Sequence, residues 1–131
     1  MSSAETVIKS LLEADSAVGA LVSSRIYGSA RPESDALPAL VFEEISDVTR
    51  ESSLNSAGAD LMAARIQVTC ISAGRAQLKS LKAAVWAACH KKSGTFSGTV
   101  AQSVVGSAGP SSYDPETQIY EQHLDFSVMY Q

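Results

Sequence analysis

From Tyr120 to Tyr130 the chain alternates. Tyr120, Leu124, Phe126, Val128 and Tyr130 fall on one side of a period-2 pattern, and Glu121, His123, Asp125 and Ser127 on the other, with Met129 the one apolar residue among them. Successive strand side chains point to opposite faces, so this pattern specifies a strand with one face buried and one facing water or a partner. Chain ends usually fray. A terminal segment written this way is instead built into a sheet, and whatever precedes it must supply the rest of that sheet and a cover for its apolar face.

The preceding segments do so. Ser2 followed by Glu5 fits a capping box for a helix running to about Ala14, with Val7, Ile8, Leu11 and Leu12 as its apolar stripe. Asp15 reads as a second N-cap, opening a turn that buries Val18, Leu21 and Val22. Arg25 to Tyr27 is a brief strand, and Gly28 to Pro38 a polar loop. Pro38 is tolerated at a strand's start, so the next strand runs from Ala39 to Ser46, carrying Leu40, Val41, Phe42 and Ile45. Val48 to Asp60, rich in Ser, Asn and Gly, has no strong period. Leu61 to Ser72 is a strand with Ala64, Ile66, Val68 and Cys70 on one face and Arg65, Gln67 and Thr69 on the other.

A second main helix is predicted over Gly74 to Lys91, its stripe formed by Leu78, Leu81, Val85, Trp86 and Cys89. Lys91 and Lys92 would complement its dipole and Gly94 would end it. Short β segments follow at Val100 to Val105 and before Tyr113, and Gly106 to Pro115 reads as turn chemistry. The expected fold is α+β: a single-layer, mostly antiparallel sheet of about four to five strands, with two main helices packed on one face. Residues 1–131 are expected to form one domain.

Composition excludes several function classes. A net charge of −4 and a pI near 5.0 argue against wrapping nucleic acid by phosphate neutralisation. No run approaches the roughly 18 consecutive apolar residues of a membrane span. Residues Met1 to Glu5 lack a basic leader, so the chain is expected to be cytosolic or to assemble in the cytosol. Cys70 and Cys89 read as two buried thiols, with a disulfide as the alternative.

The chain carries no catalytic motif. Gly94, Gly98, Gly106 and Gly109 match neither a Walker loop nor a Rossmann glycine trio. His90 and His123 belong to different elements and lack partners at metal-ligand spacing. Adjacent Glu43 and Glu44 would point to opposite faces of a strand. Glu121, His123 and Asp125 share a face, which reads as a solvated or interface surface before it reads as a proton relay. No serine lies in Gly-x-Ser-x-Gly. The reading is a binding or assembly module with no catalytic residues, no cofactor and no metal. The long Val48–Asp60 connection reads either as a mobile hairpin tip or as an arm that orders against a neighbouring subunit, and on the second reading Thr49, Arg50, Glu51, Leu54 and Asn55 are the candidate interface residues.

Taken in order, Ile26-Tyr27, Leu37 to Phe42, the Ala64 to Val68 strand, the Leu78/Leu81/Val85 helix, and Ile119-Tyr120 leading to Leu124 through Val128 resemble the tail-completion or tail-terminator proteins of tailed bacteriophages, prophages and gene transfer agents. The similarity spans about Thr6 to Tyr130. The resemblance implies a structural virion protein, assembled in the host cytoplasm, whose homo-hexameric ring caps the head-proximal end of the tail tube. Such a ring stops tube polymerisation and joins the tail to neck or head-completion proteins. DNA would pass through without specific binding. Alternative readings are another head-tail connector or tail-tube component, or a small non-viral hydrolase or ligand-binding α+β domain.

Overall fold

A computed structural model describes residues 3–29, 36–51, 61–96 and 98–130, with the backbone alone for 49–51. In chain order the elements are helices α1 (Ala4–Ala14) and α2 (Ser16–Val22), strands β1 (Ile26–Gly28), β2 (Ala39–Glu51) and β3 (Leu61–Ser72), helix α3 (Arg75–Cys89), and strands β4 (Lys92–Phe96), β5 (Thr99–Asp114) and β6 (Ile119–Tyr130). They form one sheet in the order β1-β2-β3-β6-β5-β4. The class is α+β as expected. The sheet, however, is six-stranded and mixed, because β1 pairs in parallel with β2, and three helices are present among the described residues.

The apolar phases of the two strongest strands meet at the centre. Ile66 lies opposite Phe126, Val68 opposite Leu124, and Ala64 opposite Val128. All six are buried on the face that the helices cover, where Val7, Ile8, Leu12, Leu81 and Val85 meet them. Burying each large aliphatic or aromatic side chain contributes about 1.5–3 kcal/mol, so this layer is the main source of stability.

Local signals fix the helix ends in part. The Asp15 carboxylate accepts from the backbone N–H groups of Ala17 (2.9 Å) and Val18 (3.0 Å), the expected N-cap of α2. At α1 the expected Ser2 cap lies outside the described residues. Ser3 takes the N-cap position but makes no side-chain cap bond, and its own N–H donates to the buried Thr99 hydroxyl at 3.1 Å. A tertiary contact thus satisfies this backbone donor at the helix start.

Helix α3 ends two residues earlier than predicted, for a tertiary reason. His90 is extended; its Nδ1 accepts the Gly106 N–H at 3.0 Å, and its ring stacks on Trp86 with centroids 4.3 Å apart. Lys91, in the left-handed region, then donates its N–H to the Val104 carbonyl at 2.7 Å. The chain therefore turns directly onto β5. Gly94, expected to stop the helix, lies in β4 instead.

The segment from Gly106 to Pro115, read as turns, is in fact the second half of the 16-residue strand β5 up to Asp114. Its glycines answer to packing. A Cβ on Gly106 would sit 2.7 Å from the Trp86 ring and 2.8 Å from Phe126, and one on Gly109 would sit 3.1 Å from the His123 carbonyl. Pro110 falls where the register shifts between Ala108 and Ser111, and the Gln122 side chain spans that bulge to the Gly109 carbonyl at 2.6 Å.

Cys70 and Cys89 are both buried and unbridged. Burial is the main cause that pushes each thiol from 9.0 up to about 12. The folded state therefore favours the neutral thiol. That contribution is fully present below pH 9 and is lost as the pH rises from there toward 12. Two results are expected: no modification by an aromatic disulfide reagent at pH 8 until the protein is unfolded, and denaturation midpoints that fall with pH in that alkaline window. Fast stoichiometric labelling of the native protein would contradict this.

Candidate assembly surface

The residues singled out in the Val48–Asp60 connection divide between a strand and the stretch beyond it. Strand β2 runs five residues past the predicted Ser46, so Thr49, Arg50 and Glu51 belong to the β2–β3 hairpin, with Thr49 opposite Met62 and Glu51 opposite Leu61. The pairing absorbs a bulge at Ile45 and a second register shift between Thr49 and Glu51. Leu54 and Asn55 lie outside the described residues. The β2–β3 pair reaches the end of the sheet where β6 finishes, since Met62 lies opposite Tyr130.

Glu121, His123 and Asp125 do share the face away from the helices, and their neighbours occupy two of them. Asp125 pairs with Arg65 at 2.7 Å, and the His123 Nδ1 lies 3.0 Å from the Thr69 hydroxyl. Glu121 stands between Ile71 and Ser112 on the adjoining strands. Each partner comes from β3 or β5, so the row forms a cross-strand polar ladder. An exposed pair such as Arg65–Asp125 contributes about 0–1 kcal/mol; its use is to hold the face in register. Among the described residues no group of three or more His, Cys, Asp or Glu side chains could hold a metal ion.

Around this ladder the outer face carries half-buried Val41, Gln67 and Met129, with Val48 and Val105 about half exposed (55% and 50%). Arg65, Ser127 and Ser107 fill the spaces between them. It is broad, shallow and mixed in polarity, the character of a contact surface and not of a ligand pocket. On the opposite face a groove of about 260 Å³ runs between α3 and β5, lined by Arg75, Leu78, Ser111, Ser112, Tyr113 and Tyr120. The two tyrosines form a cross-strand pair with centroids 4.5 Å apart.

Charge concentrates at one lateral edge. Glu44 and Asp47 lie on the helix side of β2, near Glu5 of α1. Partial burial first, then the Asp47 and Glu5 carboxylates, hold the Glu44 carboxyl above its usual range. Asp47 accepts the Tyr130 hydroxyl at 2.5 Å, and burial followed by that bond raises the phenol. Sequence patterning alone misses this cluster. Glu44 and Asp47 are three residues apart, which on a regular strand would put them on opposite faces; the Ile45 bulge brings them to the same one.

The sequence model of the family described as tail completion protein gp17 matches residues 6–131. In fold the chain is similar to a chain of the virion of a native gene transfer agent particle, with a TM-score of 0.70 and 18% identity. That match covers 94% of this chain and 90% of the other. No curated protein matches the chain.

Proposed function

The chain belongs to the family of tail completion protein gp17, and on that premise we propose that this structural tail protein completes the tail as a six-membered ring. The ring sits on the head-proximal end of the tail tube, stops tube growth and offers its far surface to a neck or head-completion protein. The observation that carries the reading is the family match over residues 6–131. The geometry supports it in three ways. Among the described residues one sheet face is uncovered by helices, the β2–β3 pair runs to Glu51 and Leu61 at one end of the sheet, and both lateral edges have unpaired lengths. A head-to-tail contact made by unlike edges closes into a ring when its rotation divides a full turn. A net charge of −4 suits a subunit past which DNA must slide without being held. The Val48–Asp60 connection, with Thr49, Arg50, Glu51, Leu54 and Asn55, is the element we assign to contact with a neighbouring subunit or with the tube.

The test is imaging of assembled particles carrying a tagged copy of the chain. Six-fold density for it at the junction of tube and head is expected, and overlong, headless tails when the chain is withheld. Density elsewhere in the particle, or with another symmetry, would refute the ring.

A further inference from the structure

The two lateral edges of the sheet are stepped, and the steps match. Strand β1 covers β2 only as far as Phe42, leaving Glu43–Glu51 without a neighbouring strand among the described residues. On the other side β4 covers β5 only from Thr99 to Val104, leaving the stretch beyond it, as far as Asp114, similarly open. One row runs Gly28, Phe42, Val68, Leu124, Ala108. Another, nearer the hairpin end, runs Asp47, Ala64, Val128, Val104, Lys92. Strand β1 fills levels that β4 leaves empty, those of Leu40 to Phe42, and β4 fills levels that β1 leaves empty, from Asp47 toward the hairpin end; the levels between, Glu43 to Ser46, are filled by neither. A second copy set beside the first at the same height would place its β4 into the gap along β2, while β1 of the first entered the gap along the second copy's β5.

Directions and charges agree with that placement. Strands β2 and β4 would run parallel, and β1 and β5 antiparallel. The gap along β2 carries Glu43, Glu44 and Asp47. The strand and turn that would enter it carry exposed Lys91 and Lys92, with Lys92 level with Asp47. Among the described residues the only ion pair is Arg65–Asp125, so neither set is paired with any of them. Because the fit needs no shift along the strands, it adds no rise from copy to copy, and it closes into a ring when its rotation divides a full turn.

We propose that copies of this chain join edge to edge through this step, with β4 of one subunit seated against Asp47–Glu51 of β2 in the next and the Lys91–Lys92 turn facing the acidic stretch that begins at Glu43. The proposal rests on the ring reading above and specifies its seam. Opposite charges set the register of the contact, as they do in other interfaces, and pairing of the open strand edges supplies the backbone hydrogen bonds.

Val48 and Ser93 are exposed and lie beside the Asp47–Lys92 row, so Val48→Cys with Ser93→Cys tests the seam directly. Within one chain these positions are separated by four strand spacings, about 19 Å. A disulfide spans a Cα separation of about 4.4–6.8 Å, so any bond must link two copies. Oxidised tails carrying this variant should give a ladder of covalent oligomers ending at six on a non-reducing gel, and either single substitution should give none. Lys91→Glu with Lys92→Glu, on a subunit that melts like the parent, should raise the concentration needed for assembly by about tenfold or more. Six-fold rings without the ladder, or with assembly unchanged by the charge reversal, would overturn the seam while leaving the ring intact. Absence of any six-fold species from tails of the unmodified chain would instead overturn the ring, and the seam with it.

Discussion

Replacing Phe126 by alanine should lower the unfolding free energy by about 3–5 kcal/mol. Phe126 is fully buried at the centre of β6, opposite Ile66 and Gly106, with the Trp86 ring tilted against it at 6.3 Å between centroids. The space cannot easily collapse, because the β5 backbone already approaches closely at Gly106, where even a methyl group would meet the ring at 2.8 Å. A domain of ordinary stability has roughly 5–15 kcal/mol in total, so the variant should show a sharply reduced urea midpoint and poor soluble yield. On sequence grounds Trp86→Ala is expected to cost the same. The structure leaves Trp86 half-buried over Gly106 and His90, so its loss should fall nearer about 1.5–3 kcal/mol. Equal midpoints for the Phe126 variant and the parent would refute this account of the core.

The second large effect is on assembly. Replacing residues 52–60 with Asn-Gly should leave the subunit folded, since the turn would follow directly on the Glu51–Leu61 pair. Loop-closure entropy changes by only about 0.6 kcal/mol for each doubling of length. If the hairpin tip makes contacts between subunits or with the tube, tails assembled with this variant should be overlong or headless while its thermal melt is unchanged. Normal-length, infectious tails would show that the tip is dispensable and that the lateral edges suffice.

Elements with strong period-2 alternation are legible in the amino-acid order alone. The strands beginning at Ala39 and Leu61 and the strand ending at Tyr130 lie where their patterns put them, and their predicted buried faces hold, except that Ile45 is bulged out and exposed. Alternation is a direct record of burial on one face, so it reports such strands well. The helix stripes of α1 and α3 are legible for the same reason. The second half of β5 is not. It reads Gly-Ser-Ala-Gly-Pro-Ser-Ser, a composition that favours turns, and it is a strand because β6 offers a ladder and the Trp86, Phe126 and His123 groups leave no room for larger side chains. The end of α3 escapes local patterning for a related reason. The Gly106 N–H and the Val104 carbonyl on a distant strand capture His90 and Lys91 before Gly94 is reached.

For the candidate surface the division is similar. The polar row of β6, the acidic balance and the long connection after β2 are properties of the sequence, and so is the order of segments that marks the family. The sequence by itself determined the α+β class, the two central strands with their buried faces and the lack of a catalytic motif, because each depends on residue type at a fixed local spacing. Only the tertiary structure decided that β1 and β4 extend opposite edges of the sheet at different heights, and that a bulge at Ile45 turns Glu44 and Asp47 to the same side. Those features depend on register between strands far apart in the chain, and register is a sum of long-range pairings that no local pattern records.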